Sequence, residues 1–244
     1  MSYRIRFFLG HVLISLLIAL LVVGLVFFVW YPSPLATAVG VTHIFLMLLV
    51  IDVILGPLLS LLVYNEGKKT LKIDLSIIIL IQSAALCYGV YSIAQARPAW
   101  LVFNHDRFEL VRNNEIQTEN LNEAQPQYRQ PIWLKPQYVA VKQEKNPQQQ
   151  QIEQMSAMLK GISLAQYPER YIALEQVQQQ MQSKAHDLSQ LTKWNEESAV
   201  QQQLNAYPQA NAWMPLETYG LAMVILLNKE NAEVIKIVDL RPWN

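Results

Sequence analysis

Cysteine is all but missing from this chain of 244 residues, where Cys87 stands alone. An intrachain disulfide is therefore excluded, and any folded domain must hold together by its own core. Histidine is scarce too, and His11, His43, His105 and His186 form no close pair. A metal centre needs several convergent His, Cys or carboxylate ligands, so no metal is expected. His105-Asp106 is a tempting acid–base pair, but neighbours on a strand point to opposite faces. Glycine numbers eight, and neither Gly-x-Ser-x-Gly nor Gly-x-x-x-x-Gly-Lys occurs. No catalytic residue and no cofactor is expected, and the chain reads as a non-enzyme. Charge is thin as well. Past residue 96 there are 14 basic and 16 acidic residues. A near-neutral surface of that kind excludes a nucleic-acid partner, which needs clustered cations.

What the chain has in abundance is apolar sequence, and its long uninterrupted runs lie before residue 97. The first run spans Phe7 to Trp30, and its interior from Val12 to Val29 holds one polar side chain, Ser15. At 1.5 Å per residue it crosses a hydrocarbon core of roughly 30 Å. Pro32 and Pro34 stop it. The run exceeds a signal-peptide core and is followed by more apolar sequence, so a retained anchor is expected. A second span is expected over 35–63 and a third over 75–93. Arg4 and Arg6 precede the first span, and Lys68, Lys69 and Lys72 lie between the second and third. The bias of Lys and Arg toward the cytoplasmic side puts both segments there and the chain after Ile93 outside. The expected organisation is a membrane domain, 1–96, and a second domain, 97–244, in the periplasm of a Gram-negative cell. Inner-membrane lipid is then a necessary partner.

Asp52 is the residue that a passive anchor does not need. It lies about eleven residues from the cytoplasmic end of its span, roughly 16 Å deep. A carboxylate at that depth is costly unless it is neutral, paired or hydrated. Three readings stay open. Asp52 is hydrogen-bonded within the chain to Gln82, Ser83 or a carbonyl; or it faces a polar group on another membrane protein; or it relays protons. His43 is the other ionisable group read as lying within a span core. Gly56-Pro57 follows one turn on, where proline removes a donor and kinks the helix. Gly56 with Ser60, and Ala85 with Gly89, are small-xxx-small pairs that admit a close helix. That helix is either another span of this chain or a partner's.

Beyond residue 97 the pattern changes. Residues 100–103, 107–111, 131–134 and 138–141 read as strands, and 149–159 and 168–191 as helices. Leu221 to Leu227, a turn over 228–233, and 234–240 make the clearest hairpin. The Gln tracts near residues 148, 178 and 201 read as solvated helix faces. The fold class is thus a membrane protein with three N-terminal transmembrane helices followed by a small α+β periplasmic domain.

Three spans before one outer domain, Asp52-x-x-x-Gly56-Pro57, the stretch Phe103-Asn104-His105-Asp106-Arg107-Phe108, and a closing hairpin ahead of Arg241-Pro242 occur here together. In that combination the chain resembles the type IV pilin accessory proteins of the TfpX/TfpZ family, which includes FimB-like members. The resemblance implies a non-enzymatic helper of the major type IV pilin, acting on assembly, surface display or the balance of extension and retraction. It singles out Phe103, Asp106, Arg107 and Phe108 in the outer domain. Asp52, Gly56, Pro57, Ser60, Gln82, Ala85 and Gly89 are the expected contacts for a partner helix. A homo-oligomer is compatible with all of this. A membrane-anchored periplasmic sensor or regulatory module is the alternative.

Overall fold

A computed structural model describes residues 2–243 except 145, 147, 149, 153, 154, 156–158 and 160. Three long apolar helices come first. Helix α1, Tyr3–Gly24, continues as a π-helical segment, Leu25–Trp30, so one rod runs over Tyr3–Trp30. Its 28 residues are long enough to cross a bilayer with length to spare. A short helix α2, Leu35–Ala38, is followed by α3, Val41–Val63, and α4, Leu71–Gln95.

The second span therefore begins at Val41, not at residue 35. Gly40 adopts a left-handed backbone (φ 71°) that breaks the chain between α2 and α3. Leu35 and Ala38 are apolar because they leave the bundle for another core. They are fully buried against Leu101, Phe103 and Met214 of the sheet described next. Helix α3 runs unbroken through Pro57.

Seven strands form one mixed sheet in the order β4-β3-β1-β2-β5-β6-β7. They are β1 (Pro98–Asn104), β2 (Arg107–Arg112), β3 (Gln137–Val141), β4 (Tyr171–Ile172), β5 (Ala212–Glu217), β6 (Met223–Asn228) and β7 (Glu233–Val238). Pairs β1–β3 and β2–β5 are parallel and the others antiparallel. Both faces are covered, which is why β1 and β6 read as continuous apolar runs. Leu101, Phe103, Met223, Ile225 and Leu227 point to the face that receives α2 and the short helix α5, Gln178–Lys184. Trp100, Val102, Val224 and Leu226 point to the other. There Tyr128 and Tyr171 cover one half and Leu191, with Val200 of α6 (Glu197–Ala206), the other.

Residues 131–134 are not a strand. They form an exposed loop whose apolar side chains find no place in the sheet. Nor are residues 168–191 one helix. Pro168–Arg170 is a 3-10 turn, Tyr171 and Ile172 add β4 to the sheet edge, and only Gln178–Lys184 is α-helical. The apolar spacing served separate contacts: Tyr171 fills one face of the sheet, while Val177 and Met181 fill the other. Most of the expected helix 149–159 lies outside the described residues. Strand β5 carries Pro215, which argues against a strand in sequence. It is tolerated because the ladder to β2 begins only beyond it, at Leu216.

Candidate functional site

Helices α1 and α4 both pack along α3, while their own backbones stay apart. A groove of about 500 Å³ lies between them, within the roughly 300–1,000 Å³ usual for binding pockets. Its walls are apolar, with Phe7, Ile14 and Ile18 on one side and Ile79 and Leu86 on the other. Gly10 and Ser83 narrow neither wall, and Arg6 stands at one end.

The floor is polar. Gln82 of α4 reaches across to both other helices and organises it. Its Nε2 donates to Ser15 Oγ (3.1 Å) and to the Asp52 carbonyl (3.1 Å), and approaches Asp52 Oδ2 at 3.4 Å. Its Oε1 lies 3.0 Å from His11 Nε2, and His11 Nδ1 lies 2.9 Å from Ser60 Oγ. A carbonyl only accepts, so the bond to Asp52 O orients the amide. The amide oxygen then requires a proton on His11 Nε2, while Nδ1 shares a hydrogen bond with the Ser60 hydroxyl.

Gly56 and Gly89 are needed for this packing. A methyl group at Gly56 would fall 1.8 Å from Gln82 Oε1, and one at Gly89 would fall 2.3 Å from Leu48 Cδ1. Gly56, Pro57, Ser60 and Gly89 are buried by helices of this chain, whereas Ala85 and Ser83 stay exposed on α4. Asp52 has Gln82 on one side and the groove on the other. His43, exposed near the start of α3, takes no part. The ionisable neighbour of Asp52 is His11. The available signal was its spacing, for His11 and Ser15 are four apart and share one face of an otherwise apolar helix.

Phe103, Asp106, Arg107 and Phe108 build the β1–β2 turn. The two phenyl rings sit 5.5 Å apart in the core, and His105 takes the left-handed conformation (φ 58°) between them. Arg107 ties the turn to Asp106 (2.9 Å) and to Glu217 at the end of β5 (3.2 Å). The motif thus closes a hairpin and clamps a neighbouring strand. Close by, Asn104 donates to Glu109 at 2.7 Å. Burial holds the Glu109 carboxyl above its usual range, partly offset by hydrogen bonds from Ser163 and Asn104. Among the described residues no group of His, Cys, Asp and Glu is placed to hold a metal ion.

Residues 1–40, which carry His11, Ser15 and the α2 segment, match the model of the family "Fimbrial assembly protein FimB". A fimbrial assembly protein of Dichelobacter nodosus, serogroup I, is 35% identical over 182 residues, covering 74% of this chain and 70% of that protein. The chain belongs to the FimB family. The serogroup E1 protein of the same organism is 34% identical over 195 residues, 79% of this chain and 75% of its own. A third FimB-type relative, from serogroups C1 and C2, is 40% identical over 116 residues, 47% of this chain and 88% of that one. No solved structure matches the chain.

Proposed function

We propose that this FimB-family protein is an accessory factor of type IV pilus biogenesis. It engages the major pilin in the inner membrane and modulates assembly, surface display or the balance of extension and retraction. The observation that carries the reading is the groove between α1 and α4. It is a gap of about 500 Å³ with apolar walls and one carboxylate on its floor. Among the described residues, lipid tails filling that gap would leave the Asp52 carboxylate with the Gln82 amide, 3.4 Å away, as its donor. A partner helix bearing a polar group at that depth fills the space and satisfies the carboxylate. The sheet domain, joined to the bundle by α2, supplies a second surface for the pilin head. Two linked weak contacts give an affinity that neither has alone.

The orientation proposed has the N-terminus in the cytoplasm and the sheet domain in the periplasm. In support, Arg4 donates to the Leu61 carbonyl (2.7 Å) and Phe7 packs on Tyr64, so the basic tail and the Lys68–Lys72 loop share one end of the bundle. The role is binding, with no catalytic step. A photo-crosslinking residue at Ser83 or Ile14, on the groove walls, is expected to capture pilin in native membranes. The same residue at Leu80, on the outer side of α4, is not. Equal capture at all three positions, or a kinase or permease as the dominant product, rejects pilin engagement by this groove and favours a regulatory module.

A further inference from the structure

A set of large apolar side chains in the sheet domain lies exposed at one level of the molecule. Ile132, Trp133 and Leu134 are 48%, 58% and 60% exposed on the loop before β3. Tyr219 and Leu221, 76% and 46% exposed, lie on the loop between β5 and β6. Soluble surfaces seldom concentrate such groups, and a concentrated patch marks an interaction site.

Their height is set by the three spans. The Trp133 ring stands edge-on to Trp30, the last residue of the first span, with centroids 5.5 Å apart. Arg97, two residues past the end of α4, places its guanidinium 4.6 Å from the same ring. The second loop is clamped just before α3: Leu221 N and Thr218 Oγ1 both donate to the Ala38 carbonyl, at 2.8 and 3.0 Å. The Tyr219 ring lies 4.4 Å from the Arg112 guanidinium, and Asn113 beside it bonds the Gln95 side chain at the end of α4 (2.9 Å). Both loops therefore stand level with the ends of the helices, where a bilayer passes from acyl chain to headgroup.

We infer that these two loops form a lipid-seated rim: Trp133 with Ile132 and Leu134, and Tyr219 with Leu221, are immersed in the interfacial layer of the same bilayer that the helices span. Interfacial Trp and Tyr are favoured at that level because they pair an apolar body with a polar edge. Exposed Lys135, following Leu134, adds attraction for anionic headgroups. The rim adds a lipid contact to the hold that α2 already has in the core of the sheet domain. This inference is independent of which protein the groove receives.

The test uses the full chain with Cys87→Ala, so that a single cysteine carries an environment-sensitive fluorophore. Leu134→Cys and Tyr219→Cys probe the two loops, and Glu230→Cys, at the far β6–β7 turn, is the water-exposed reference. The protein is placed in phosphatidylethanolamine/phosphatidylglycerol nanodiscs containing a shallow nitroxide lipid. The expected result is strong nitroxide quenching and loss of iodide quenching at 134 and 219, with the reverse at 230. Iodide quenching at 134 and 219 equal to that at 230 overturns the inference. Shielding from iodide without nitroxide quenching also overturns it, because the cover is then protein. Having two independent loop sites keeps the result readable if one variant does not fold.

Discussion

Gly56→Ala is the sharpest probe of how the helices are joined. In an isolated helix the change is favourable by about 1 kcal/mol, because alanine loses less backbone entropy. Here the new methyl lands 1.8 Å from Gln82 Oε1 and 2.3 Å from its Cδ. Backbone does not have to move, since Gln82 is flexible and can swing away. What is lost is its bonding to His11, Ser15 and the Asp52 carbonyl. Interhelical hydrogen bonds in membranes average about 0.6 kcal/mol each, so the three together are worth about 2 kcal/mol. The net expectation is a loss of about 1 kcal/mol. Unfolding of the detergent-solubilised protein by added SDS, followed by circular dichroism, measures it. The decisive comparison repeats the substitution in a Gln82→Ala background, where the clash is gone and the helix gain alone remains. Gly56→Ala is then stabilising by up to about 1 kcal/mol. The same destabilisation in both backgrounds refutes the assignment of Gln82 as the link between the helices.

Two further outcomes test the sheet domain. Leu35→Ala empties a side chain packed between bundle and sheet and is expected to cost about 2–5 kcal/mol, read as a lower SDS midpoint. A cost below about 1 kcal/mol means that α2 is not part of that core. Burial raises the Glu109 carboxyl above its reference value of 4.5, so the native state holds this proton more tightly than the unfolded chain does. Native stability from this group is complete below that reference value and falls as pH rises through the raised native value. Glu109→Gln cannot ionise and escapes the loss. Its melting temperature relative to the parent is expected to rise as pH increases from the reference value of 4.5 through the raised native value, and a constant difference contradicts the assignment.

Much of the membrane part was legible from local pattern. Continuous apolar runs announce spans, and the prolines after Trp30 announce an end, because hydropathy and backbone restriction act over a few residues. The hairpin of β6 and β7 was visible for the same reason. Residues 131–134 misled because apolar content says that a side chain avoids water without saying what covers it. Residues 168–191 misled because helical spacing was shared among several short elements. Strand β5 was hidden by Pro215, whose tolerance depends on where the β2 ladder starts.

By itself, then, the sequence determined the number of membrane spans, their approximate limits and the presence of a polar residue deep in one of them. Only the tertiary structure decided what that residue meets. His11 reaches Ser60 across 49 residues and Gln82 across 71, and no local period encodes such a meeting. Only the structure, likewise, moved Leu35 and Ala38 out of the bundle and into the sheet. The physical reason is the same in both cases. Burial preference and helix breaking are properties of neighbouring residues, whereas a hydrogen-bond network and a shared core exist only once distant segments occupy the same space.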